Sequence, residues 1–187
     1  MENQKKSTWQ SFWELVRFAL IAIIIVVPIR IFIAQPFIVS GSSMVPTFQD
    51  GQYLVVDEIS YIIGTPKRDD VVVFRNPNNT KVFFIKRIIG LPGETVDVKG
   101  NDVFITNKEH PNGFKLDQSF LVNNGGIDGH MEIKDNEYYV MGDNRPASSD
   151  SRYWGAVPKN LLVGRVFLRL LPPNKISFLP GHYKPVE

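Results

Sequence analysis

Two short stretches carry residue types from which a nucleophile and its base can be built. Ser40-Gly41-Ser42-Ser43-Met44-Val45-Pro46-Thr47 offers hydroxyl nucleophiles, and Phe84-Ile85-Lys86-Arg87-Ile88-Ile89 sets one lysine in an otherwise apolar, strand-like run. A serine hydroxyl needs a base, and an amine can serve only after losing its proton. Free lysine titrates near 10.4, so service near neutrality requires a lowering of about 3, equivalent to about 4 kcal/mol against the charged form. Burial can supply it. In an extended segment alternate residues share a face, which groups Phe84, Lys86 and Ile88 and turns Ile85, Arg87 and Ile89 the other way. Lys86 is then flanked by apolar groups, although a lysine lying along a sheet edge with its ammonium in water fits the same pattern.

Other chemistries drop out of the same chain. There is no cysteine among the 187 residues, which removes thiol catalysis, disulfides and thiolate metal sites. The sequences Gly-x-Ser-x-Gly, Ser-x-x-Lys and His-Glu-x-x-His are absent. His110, His130 and His182 stand in polar, loop-like surroundings and read as surface residues. A formal net charge of +2, with both signs interspersed, gives no basic stripe, so nucleic acid is not an expected partner.

The elements that must position Ser43 and Lys86 begin with an apolar run. From Leu15 to Ala34 it approaches the roughly 20 residues of a membrane-spanning helix, with Arg17 and Arg30 near its ends, where long side chains reach headgroups. Lys5, Lys6 and Arg17 flank its start, and residues 35–54 hold no lysine or arginine, which puts the amino terminus in the cytoplasm. A cleaved leader would show small residues in an A-x-A pattern, but Phe32 stands two before Ala34. A buried soluble helix would show a polar face. The expected organisation is a cytoplasmic tail over 1–14, a transmembrane helix over 15–34 and an extracytoplasmic catalytic domain over 35–187. Ser43 would then lie within roughly 30 Å of the bilayer, from nine residues at about 3.3 Å each.

Beyond the anchor, strand-like runs at Tyr53 to Val56, Val71 to Phe74, Val82 to Ile89, Thr95 to Val98, Val103 to Thr106, Tyr138 to Met141 and Val163 to Leu170 alternate with turn residues. No helical period competes, and the domain is expected to be mainly β. Glu109 to Ile133 is polar and glycine-rich and reads as a surface excursion.

A third stretch, Met141-Gly142-Asp143-Asn144-Arg145-Pro146-Ala147-Ser148-Ser149-Asp150-Ser151-Arg152-Tyr153-Trp154-Gly155, follows a strand directly. Together with Ser43-Met44-Val45-Pro46-Thr47, Lys86-Arg87 before Gly90-Leu91-Pro92-Gly93-Glu94, and Arg68-Asp69-Asp70-Val71-Val72, it resembles type I signal peptidase, with four motifs in the family's order. The resemblance, to the compact form of the family, implies a membrane-anchored serine protease with a β-rich fold shared with LexA-type proteins. It would remove signal peptides from exported preproteins without metal or cofactor. It implies Ser43 as nucleophile, Lys86 as general base and Ser148 as the hydroxyl that orients the lysine. Asp143 with Arg87, and Asp150 with Arg152, match bracing ion pairs. Phe37, Val39, Met44, Phe48, Phe84 and Ile85 match walls of shallow pockets for small side chains. Membrane lipid and the export machinery are the implied surroundings.

One departure concerns the oxyanion hole: Gly41 stands where some members of the family carry a serine. The Ser43 backbone N–H is one expected donor, with Gly41 N–H, Ser42 hydroxyl or Ser40 hydroxyl as the second. Two other readings compete. A LexA-type self-cleaving protein would need a DNA-binding segment or an internal scissile site. A catalytically idle β module that binds exported chains would leave serine and lysine replaceable.

Overall fold

The longest strand grows from the run around Lys86. Its neighbour, Val71-Val72-Val73-Phe74, is apolar at every position because it is covered on both faces: Val71 and Val73 enter one core, Val72 and Phe74 another. The computed structural model describes residues 8–28, 34–118, 121 and 125–182. Helix α1 (Thr8–Pro28) precedes β1 (Ala34–Ile38), β2 (Tyr53–Asp57), a short α2 (Ile59–Ile63), β3 (Val71–Asn76), β4 (Asn79–Gly90), β5 (Thr95–Lys99) and β6 (Asp102–Thr106). Then come β7 (Phe114–Lys115), β8 (Gly129–Glu132), β9 (Glu137–Met141), α3 (Ser151–Trp154), β10 (Val157–Pro158), β11 (Leu162–Leu171) and β12 (Ser177–Phe178).

Two sheets result. The larger runs in the order β1-β2-β11-β3-β4-β9-β10 with β12 attached to β11, and the smaller in the order β7-β6-β5-β8. All the pairings in both are antiparallel. In the β3–β4 ladder Val72 stands opposite Lys86 and Val71 opposite Arg87. The far end of β4 then pairs with β9, Arg87 opposite Met141. Val39, Met44, Phe48, Leu54 and Val56 pack with Val71 and Val73 on one side, while Phe74, Ile88, Tyr138, Val140 and Val157 pack with Val72 on the other. A third cluster, Val96, Val98, Val103 and Ile105 with Ile89, Tyr139 and Met141, joins the small sheet to the ends of β4 and β9.

The fold is mainly β, as the alternation predicts, with three differences. The stretch Glu109 to Ile133 is not a bare excursion, because its described part contributes β7 and β8 to the small sheet. Two short helices, α2 and α3, stand where no helical period is readable, since four or five residues are too few to set one. The third difference lies at the amino terminus. The helix occupies Thr8–Pro28 rather than 15–34, and Ala34 already pairs as a strand with Asp57. Residues 1–7 of the expected tail and 29–33 of the expected span lie outside the described residues. Among the described residues no helix is long and apolar enough to cross a membrane. Gln10, Ser11, Glu14 and Arg17 occupy the first turns of α1, and its wholly apolar part is Phe18 to Val27. Ten residues rise about 15 Å, half of a bilayer's core. Trp9, Phe12, Trp13, Leu15, Phe18 and Ile24 are all exposed on it.

Candidate active site

The serine loop leaves β1, turns at Gly41 and folds back to β2. Two buried apolar anchors fix it: Met44 and Phe48 are 1% and 0% exposed in the core under the larger sheet. The third motif grips its backbone. Asn144 N–H donates to the Ser43 carbonyl at 2.9 Å and Asn144 Nδ2 to the Ser42 carbonyl at 3.1 Å. Gly142 permits this approach, because a Cβ there would collide with the Ser43 carbonyl oxygen and with Ser148.

Lys86 reaches the loop from β4. Its Nζ donates to Ser43 Oγ at 2.7 Å and to the Ile85 carbonyl at 2.9 Å. The side chain is 4% exposed, and the Phe84 ring lies 5.3 Å from Nζ. Among the described residues no carboxylate pairs with it. Burial pulls its pKa from an ordinary 10.5 down to about 8, against the weaker opposing pull of Asp150 and Asp143. About a tenth of the amine is therefore neutral at pH 7, beside a hydroxyl.

The neighbouring cation is treated differently. Arg87 is 1% exposed; its Nε and Nη2 donate to Asp143 at 2.8 and 2.6 Å, and Nη1 to the carbonyls of Asp69 and Gly181 at 2.9 and 2.6 Å. Thr47 Oγ1 donates to the same carboxylate at 2.5 Å, which links the pair to the serine loop. Gly181 is needed for this clasp: its φ is +80° and a Cβ would fall 2.7 Å from Thr47 Cγ2. Arg152 pairs with Asp150 through Nε and Nη2, both at 2.8 Å, and Asp150 also accepts the Gly142 N–H at 3.0 Å. Arg68 forks onto Glu94, which also accepts the Leu91 N–H, so the Arg68 and Gly90-to-Glu94 motifs meet at the far end of β4.

A cleft of about 230 Å³ opens beside Ser43 and Lys86, lined by Phe37, Ile38, Val39, Ser40, Leu54, Val73, Phe83, Phe84, Ile85 and Ser149. It contains four of the six expected wall residues. Met44 and Phe48 lie in the core beneath it, where both anchor the loop. Ile38, Leu54, Val73 and Phe83 are the walls that sequence reasoning missed; strand alternation on β1 to β4 carried the only signal for them. Ser148 Oγ is buried beside Gly142 without a hydrogen-bond partner among the described residues, and the second bond of Lys86 goes to the Ile85 carbonyl. The Gly41 N–H donates to Asp50 Oδ1 at 2.7 Å, which leaves it less available as an oxyanion donor. The Ser43 N–H and Ser42 hydroxyl make no hydrogen bond among the described residues. His130 lies far from this chemistry on the small sheet, its exposed ring against Asp97.

The chain matches the family model described as signal peptidase, peptidase S26, over residues 12–171. It is 38% identical to the probable signal peptidase I-2 of Synechocystis sp. over 95% of this chain and 80% of that protein. To signal peptidase I of Bacillus amyloliquefaciens it is 35% identical, covering 97% of this chain and 92% of the relative. To signal peptidase I S of Bacillus subtilis (strain 168) it is 37% identical over 94% and 98%. A buried lysine on a serine and a match across most of the sequence agree: the chain belongs to the signal peptidase family, peptidase S26, and is a serine endopeptidase.

Proposed function

We propose that this protein removes N-terminal signal peptides from exported preproteins, cutting after small residues through a Ser43/Lys86 dyad. The observation that carries the reading is the 2.7 Å separation of Lys86 Nζ from Ser43 Oγ in a buried setting. Neutral Lys86 takes the hydroxyl proton as Ser43 Oγ attacks the scissile carbonyl. The oxyanion is held by the Ser43 N–H and the Ser42 hydroxyl, with Asn144 and Gly142 fixing the loop that presents them. Collapse breaks the C–N bond, and the Lys86 ammonium returns its proton to the leaving amine. Lys86 then deprotonates a water that attacks the Ser43 ester, and the freed hydroxyl recovers its proton. Arg87 with Asp143 and Arg152 with Asp150 act as braces.

Two strand edges face the cleft. Among the described residues the outer edge of β1 is unpaired, and β4 pairs with β9 only from Arg87 onward. The Phe37 and Phe83 rings, 5.3 Å apart, bring the two edges near each other. An extended substrate would add its backbone to these edges. Its alternate side chains would point into the cleft, where Phe37, Phe84 and Ile85 leave room for small ones.

The exposed apolar residues of α1 support attachment to membrane lipid. With the apolar residues that follow, this segment would cross once, amino terminus in the cytoplasm, as the charge bias of the flanks directs. Signal peptides lie in the same bilayer, so tethering raises their effective concentration at Ser43. Contact with the export machinery would follow from that location.

The test is cleavage of a preprotein by the purified protein in detergent, read by mass spectrometry of the new amino terminus. A cut after a small residue in an A-x-A context, lost in Ser43→Ala with its circular dichroism unchanged, is the expected result. Equal turnover by Ser43→Ala would remove the dyad.

A further inference from the structure

A second pocket, of about 290 Å³, adjoins the cleft and shares Phe83 with it. Its wall differs in kind. Gln35, Glu58, Arg75 and Lys159 bring polar groups to a wall that Tyr61, Ile62, Leu162 and Val163 complete, and Arg75 lies over the Phe83 ring at 4.9 Å. Phe83 thus separates an apolar compartment beside Ser43 from a polar one farther along β1 and β4. It stands three residues before Lys86, about 10 Å at 3.3 Å per residue. A substrate strand leaving Ser43 along these edges passes Phe83 after about three residues and meets the polar pocket with the next two or three.

Resting on the proteolytic reading above, we infer that this pocket is a specificity subsite for a neutral polar side chain, an amide above all, at the fourth to sixth residue before the cut. The charges select the class. An acidic side chain would lie beside Glu58, and a basic one beside Arg75 and Lys159. A carboxamide gives its N–H to the carboxylate and its oxygen to a cation, so no charged group loses solvation without a partner. Glu58 gains most from such a donor: among the described residues its Oε1 is buried without a hydrogen-bond partner, and burial, opposed by Arg75, raises its pKa. An apolar side chain would touch Ile62, Leu162 and Val163 but would desolvate Glu58, Arg75 and Lys159 without giving any of them a partner.

The experiment uses the full-length protein in detergent and synthetic signal-peptide substrates carrying Gln, Leu, Asp or Lys at the fourth, fifth or sixth residue before the cut. At one of these positions kcat/KM for Gln should exceed that for Leu by about fivefold or more. Glu58→Leu and Arg75→Met should each bring that ratio close to one. Equal values for Gln and Leu at all three positions, or a preference that both substitutions leave intact, would overturn the subsite. Arg75→Met losses seen only in vesicles of anionic lipid, whatever the peptide side chain, would assign the pocket to a headgroup and overturn it equally. Failure to cut any peptide would instead sink the proteolytic reading, and the subsite with it.

Discussion

Lys86 and Arg87 are consecutive on β4 and almost equally buried, at 4% and 1% exposure, yet the molecule surrounds them in opposite ways. Strand alternation sends them to different faces. Arg87 meets a carboxylate through two bonds and two backbone carbonyls. Lys86 meets a hydroxyl and one carbonyl. A guanidinium keeps its charge at any ordinary pH and its planar fork suits two-point pairing, so burial with Asp143 makes it a fixed joint. An ammonium given no carboxylate can relieve the same burial by losing its proton. One cation is retained to hold the serine loop, the C-terminal segment and β4 together; its neighbour is made unfavourable so that it becomes a base.

The largest test of that contrast is Lys86→Met. Cleavage should fall on the order of 10⁴-fold or more, while the urea midpoint at pH 7 stays at or above wild type, because an apolar chain fills the site without a buried charge. Residual activity within a hundredfold of wild type, or a marked loss of stability, would show that Lys86 belongs with the braces. Asp143→Ala should do the reverse and cost about 3–5 kcal/mol in urea unfolding, since Arg87 loses its carboxylate inside the protein. A cost under about 1 kcal/mol would end the joint's role. Next comes Ser42→Ala, expected to lower kcat on the order of 10² with little change in KM if its hydroxyl holds the oxyanion. An unaltered kcat would pass that role to Ser40, which lines the same cleft.

The smallest effect is in pH. A base with its pKa lowered to about 8 must be neutral to act, so kcat/KM should rise about tenfold per pH unit up to about 8 and level off above it. Stability carries the same signature. Between about 8 and the 10.4 of an unfolded lysine, the unfolded chain binds the extra proton, so wild-type stability should climb with pH across that window. Below about 8 both states are protonated and the penalty stays constant. Lys86→Met should lack the climb, and parallel profiles of the two proteins between pH 8 and 10 would break the comparison.

Much of this was legible in the chain. The period of two through Val82 to Ile89 placed Lys86 and Arg87 on opposite faces, and the structure keeps Phe84 and Ile88 in one core and Ile85 beside another. Alternation is a local property, so it survives folding. The placement of other expected site residues depends on distant partners. Whether Met44 and Phe48 face a substrate or the core depends on β2, β3 and β11 arriving beneath them. Gly41 lost its N–H to a residue nine positions on, across a loop whose closure no period encodes. For the same reason the polar pocket is invisible in sequence, since Gln35 on β1, Glu58 just after β2, Arg75 on β3 and Lys159 just before β11 meet only when these elements are assembled.

By itself, then, the sequence determined the residue types, their strand faces, the order of the motifs and hence the family. Those follow from covalent neighbours and side-chain period. Only the tertiary structure decided which hydroxyl meets the amine, which cation keeps a carboxylate and how far burial moves a proton. Each of these turns on a distance between segments remote in the chain and on the water excluded when they close, and both come into being only with the packed core.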